Sequence, residues 1–102
     1  MDRCALVVDD DVALRHRLRC LLEELGIDVI EAGTLREAEM ASALYEPSLM
    51  LVDGILPDGN GIEWVATLRA EGLESEVVFT AGRPTCEIAC LLMEQASAPP
   101  AH

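Results

Sequence analysis

The 102 residues contain no lysine; all seven cationic side chains are arginine, set against nineteen carboxylates for a formal net charge of −12. A chain so poor in cations is a poor match for a phosphate backbone or an anionic lipid surface. Neither nucleic acid nor membrane is therefore expected as a direct partner. Aromatics are scarce as well. Tyr45, Trp64 and Phe79 are too few to build a base-stacking platform. Long apolar runs are also missing. The first, Cys4 to Val8, is halted by Asp9-Asp10-Asp11, far short of a signal-peptide core or a membrane span. The expected location is cytoplasmic. There the four cysteines, Cys4, Cys20, Cys86 and Cys90, stay reduced. None forms a C-x-x-C pair. Cys86 and Cys90 are spaced to share a helix face, but two thiols make only half a zinc site. They are expected as small buried hydrophobes.

What is present is a globular composition. Hydrophobic residues make up 51% of the chain, too many for a disordered acidic tail. The length suits one domain, expected over residues 1–96, followed by a Pro/Ala tail at 97–102. Short apolar runs alternate with helical periodicity. Ala5 to Val8 reads as a strand buried on both faces. Leu14, Leu18, Leu21, Leu22 and Leu25 then fall on one helical stripe, which Gly26 ends. Ile27 to Ile30 is a second strand. Thr34-Leu35-Arg36-Glu37 is a capping box opening a helix that stops before Pro47. Leu49 to Val52 is a third strand, Pro57 to Gly61 a loop, and Ile62 to Arg69 a third helix. Val77 to Phe79 is a fourth strand, and a last helix runs from Pro84 to about Ala96.

This βαβαβαβα order implies an α/β fold with a parallel sheet and helices on both faces. A flavodoxin-like, doubly wound order of 2-1-3-4 makes the first and third strands neighbours. Ligands in such sheets bind outside the carboxyl ends of the strands. Those ends carry Asp9, Asp10 and Asp11 after the first strand, Asp53 after the third and Thr80 after the fourth. Asp11 is placed to cap the first helix. Asp9, Asp10 and Asp53 converge. Carboxylates that close cannot all stay ionised unless a cation joins them. Hard oxygen donors select Mg²⁺ or Mn²⁺. A calcium loop starting at Asp58 fails, because Glu63 and Arg69 stand where Gly and Glu are needed.

Three segments carry a family resemblance: Leu6-Val7-Val8-Asp9-Asp10-Asp11, Leu51 through Gly61, and Val77-Val78-Phe79-Thr80-Ala81. In register from about residue 3 to residue 96, the chain resembles the receiver domain of two-component response regulators. The resemblance implies a stand-alone signal-transduction module. A histidine kinase or phosphotransfer protein would phosphorylate Asp53. Asp9, Asp10, Asp53 and the backbone carbonyl of Ile55 would hold Mg²⁺. Thr80 would contact the phosphoryl oxygens, and the small Ala81 would leave access to them. At most, such a module catalyses phosphoryl transfer onto itself.

The chain departs from the family pattern after about Ala96. The fifth strand, with its Lys-Pro, and the fifth helix have no counterpart, so the catalytic lysine cannot come from these residues. Arg83 is a weak substitute, its fork being unlike an ammonium. The departure raises an alternative: a degenerate receiver that acts as a phosphorylation-independent interaction or dimerisation module. The uncharged run Ile88 to Met93 then becomes an expected interface. Ile88, Leu91, Leu92 and Met93, with the fourth strand, would meet a second copy or another partner. A small Mg²⁺-dependent hydrolase is a third reading, with no separate base to support it. His16 is expected on the charged surface of the first helix, and Trp64 as partly core.

Overall fold

The computed structural model describes residues 3–97. Its main sheet has four parallel strands: β1 (Cys4–Val8), β2 (Asp28–Ala32), β3 (Leu49–Val52) and β6 (Glu76–Phe79), in the order β2-β1-β3-β6. This is the expected flavodoxin-like 2-1-3-4 arrangement, β6 being its fourth strand. Between β3 and β6 lies a separate antiparallel pair, β4 (Ile55–Leu56) and β5 (Gly59–Asn60). The helices are α1 (Val12–Glu24), α2 (Leu35–Tyr45), α3 (Gly61–Ala70) and α4 (Thr85–Ser97). Helix α4 reaches one residue past the boundary expected at 96. Residues 98–102 of the expected tail lie outside the described residues.

Strand alternation builds two cores. Ala5, Val7, Leu49 and Leu51 face one side, where they meet Leu18 and Leu22 of α1 and Ile88 and Leu92 of α4. Leu6, Val8, Met50 and Val52 face the other, against Ala38 of α2 and Val65 of α3. Because β1 and β3 are covered on both faces, they read as unbroken apolar runs.

Helix starts follow their caps. The Asp11 carboxylate accepts N–H bonds from Ala13 and Leu14 at 3.0 and 3.2 Å. Thr34 Oγ1 accepts from Glu37 N at 3.1 Å, while Glu37 Oε1 accepts from Gly33 N at 2.7 Å. The Asn60 side chain caps α3 through Ile62 and Glu63. Gly26, at φ +78°, ends α1.

Three expectations are corrected. Strand β2 begins at Asp28 rather than Ile27 and runs through Glu31 to Ala32. A charge is tolerated inside it because Arg15 Nε and Arg19 Nη1 hold the Glu31 carboxylate at 3.0 and 2.9 Å. The cysteines are not buried: Cys20, Cys86 and Cys90 are exposed and Cys4 half-buried. Cys86 and Cys90 lie on the outer side of α4, because Ile88 and Leu92 claim its inner side. For the same reason Ile88 and Leu92 are not free to form an interface. Both are buried in this chain's own core, while Leu91 packs partly against it and Met93 is 60% exposed.

Candidate functional site

The acids stand where the strands end. Asp9 follows β1 and Asp53 follows β3, and the two strands are held side by side from Ala5–Leu49 to Val8–Val52. The pairing continues one step further, with Asp53 N donating to Val8 O at 2.9 Å. Carboxylate oxygens of Asp9, Asp10 and Asp53 all lie within 4.8 Å of one another. Asp9 is only 3% exposed, Asp10 is open to solvent and Asp53 is half-buried. Burial holds the Asp9 carboxyl above the ordinary aspartate range. A hydrogen bond from Asp11 N at 2.9 Å opposes that rise, and the charges of Asp53, Asp10 and Asp11 add to it. Three hard oxygen donors, one of them buried among like charges, suit a hard divalent cation.

The fourth strand closes the site. Thr80 follows β6, is 5% exposed, and its N–H donates to Val52 O at 3.0 Å. The hydroxyl-bearing residue is thereby held next to the strand end that leads into Asp53. Ala81 is exposed, and its Cβ lies 3.7 Å from where a side chain at Gly54 would begin.

The segment after Asp53 folds back as the β4–β5 hairpin, whose second strand lies within the loop expected over Pro57 to Gly61. Ile55 N approaches Asp53 Oδ1 at 3.4 Å, and the Ile55 side chain is 79% exposed. Gly61 N donates to Gly54 O at 2.9 Å. A Cβ on Gly61 would stand 2.1 Å from the Asp53 carbonyl oxygen, so only glycine fits there. The Asp58 carboxylate, at the hairpin tip, accepts N–H bonds from Leu35 and Arg36 at 2.8 and 3.0 Å. Those two bonds hold its pKa below the usual aspartate value.

Two arginines occupy places the sequence did not reveal. Arg15 Nη1 donates to the Asp9 carbonyl at 2.8 Å while its Nε holds Glu31. Helical spacing from Leu14 and Leu18 put Arg15 off the apolar stripe but gave no sign of that reach. Arg83 is paired with Glu87 at 3.2 Å, which argues against its replacing the lysine. His16 is exposed, as expected. Trp64 is half-buried against the second core, with its indole N–H buried and lacking an acceptor.

Residues 5–97 match the family model described as the response regulator receiver domain. The chain is 40% identical over 76 residues to the KDP operon transcriptional regulatory protein KdpE of Escherichia coli K12. That match covers 74% of this chain and 34% of the relative. It is 36% identical over 83 residues to the DNA-binding response regulator MtrA of Mycobacterium tuberculosis H37Rv, covering 81% of this chain and 36% of the other. The chain thus spans about a third of the length of these curated relatives. Among solved structures, a CheY-like response regulator receiver domain protein from Methanospirillum hungatei JF-1 superposes with a TM-score of 0.75 at 26% identity. It covers 96% of this chain and 78% of that one. The MaeR response regulator bound to beryllium trifluoride has the same fold, with a TM-score of 0.75 at 24% identity over 98% of this chain and 84% of that one. On the match over residues 5–97, with its strand-end acids in place, the chain belongs to the response regulator receiver domain family.

Proposed function

We propose that this chain is a signalling receiver that accepts a phosphoryl group on Asp53 from a histidine kinase or phosphotransfer protein. The observation that carries the reading is the meeting of Asp9, Asp10 and Asp53 carboxylate oxygens within 4.8 Å at the ends of two adjacent strands. Asp9, Asp10, Asp53 and the Ile55 carbonyl would hold Mg²⁺ or Mn²⁺. When bound, the ion supplies charge neutralisation for an anionic nucleophile meeting an anionic phosphoryl group. An Asp53 oxygen forms the new P–O bond, and the donor's leaving group departs with the electron pair of the bond that breaks. Thr80, whose N–H is bonded to Val52 O, would bond a phosphoryl oxygen, and Ala81 would leave the approach open. A cytoplasmic setting fits the four free thiols. Incubation with acetyl phosphate and Mg²⁺ tests the reading by intact mass. One added phosphoryl group, absent in Asp53→Ala, is expected. No adduct on the unaltered protein overturns it.

One observation favours a second reading. The 102 residues provide no lysine to face the phosphoryl group. At about 4 Å and an effective dielectric of ~20, such a contact is worth roughly 4 kcal/mol before desolvation. Without it, the chain would serve as a docking or dimerisation module whatever its phosphorylation state. Its surface would be the β6 edge with Leu91 and Met93 of α4.

A further inference from the structure

We propose that Asp58 is a positioning residue, tethering the tip of the β4–β5 hairpin to the first turn of α2 and so fixing the Ile55 backbone beside Asp53. The inference rests on the phosphoryl-acceptor reading above, in which the Ile55 carbonyl faces the cation.

A helix leaves its first N–H groups without partners in its own ladder. In α2 they are divided between two residues. Thr34 serves Glu37 N, and Asp58, far along the chain, serves Leu35 N and Arg36 N. Asp58 also brings a negative charge to the positive end of the helix. Beside it, Gly59 lies so close to α2 that a Cβ there would stand 2.8 Å from Leu35 Cδ1. The hairpin is thus seated on α2 by a carboxylate and a close backbone approach.

The seat matters because the hairpin is small. Two residue pairs, Ile55 with Asn60 and Leu56 with Gly59, are too few to hold a conformation alone. Its base is tied to α3 through the Asn60 cap and closed by Gly61 N donating to Gly54 O. Its tip is tied by Asp58. Ile55 lies between these anchors, two residues from Asp53, so a loose tip lets the Ile55 carbonyl wander from the direction the cation requires.

The experiment uses the full chain and Mg²⁺ alone, titrated by calorimetry well below the melting temperature. Asp58→Ala is expected to weaken Mg²⁺ binding roughly tenfold, as loss of an outer partner of a metal site does. Asp58→Asn, which keeps one acceptor oxygen, should recover part of that loss. Thr34→Ala is the control: it damages the same helix terminus without touching the hairpin, so melting temperature should fall while Mg²⁺ affinity holds. In the metal-free protein, Asp58→Ala should also speed hydrogen exchange at Gly61 N–H. Unchanged affinity in Asp58→Ala, or an equal loss in Thr34→Ala, overturns the proposal. If the unaltered protein binds no Mg²⁺, the metal-site reading fails. Exchange at Gly61 then decides the tether by itself: faster exchange in Asp58→Ala keeps it, and no change removes it.

Discussion

Asp9 sits at odds with its surroundings. A carboxyl that is 3% exposed and faces Asp53, Asp10 and Asp11 carries its negative charge at a cost. Its pKa is raised in the folded state, so the folded protein holds the proton to higher pH than the unfolded chain does. Stability therefore falls as pH rises from the ordinary aspartate value through the raised one, and the loss persists above it. Asp9→Asn should raise the melting temperature of the metal-free protein, and the gap should narrow on acidification. On the metal-site reading, saturating Mg²⁺ should raise the melting temperature of the unaltered protein more than that of the variant. Thermal melts of both proteins across pH, with and without Mg²⁺, check this; a lower melting temperature for metal-free Asp9→Asn would falsify it.

Among the elements, α4 separates what helical spacing reveals from what it hides. Ile88 and Leu92 are four apart, share one side and are buried; Cys86 and Cys90 share the opposite side and are exposed. Leu92→Ala should cost about 2–5 kcal/mol in urea unfolding. Cys90→Ser should stay within about 0.5 kcal/mol of the unaltered protein. Similar losses in the two variants would mean that α4 does not pack as described. In the sequence, six uncharged residues in a row masked that division, because cysteine and alanine look apolar on either side of a helix. The acid site was legible for the opposite reason: an apolar run followed at once by aspartate marks a buried parallel strand and its functional end together. The β4–β5 hairpin was not legible, since strands of two residues are too short to show a period. Nor was the reach of Arg15 to the Asp9 carbonyl, which depends on how α1 lies over the sheet.

For the whole molecule, charge and edge oppose each other. Strand β6 pairs only with β3 among the described residues, leaving an outer edge able to accept another strand. A net charge of −12 on each copy resists that encounter. Salt screens the repulsion over about 8–10 Å near physiological strength. On the dimer reading, sedimentation at micromolar concentration should show a monomer at low salt and a growing dimer as salt rises. Met93→Asp should suppress the dimer while sparing Mg²⁺ binding at the opposite strand ends. A monomer at every salt concentration would rule out self-association through this edge.

The register of the sheet also sets a timetable. Cys4 pairs with Asp28, Ala5 with Leu49, and Leu49 with Glu76, so no strand of the four-stranded sheet finds its partner nearby in the chain. Strand β1 is made before either of its neighbours. At ~5–20 residues per second, the ribosome needs roughly 2–9 s to proceed from Val8 to Val52. Throughout that interval β1 is an apolar ribbon with at least one bare edge, available to chaperones or to a neighbouring nascent chain. The strand that later aligns Asp9 with Asp53 is the one that waits longest to be enclosed.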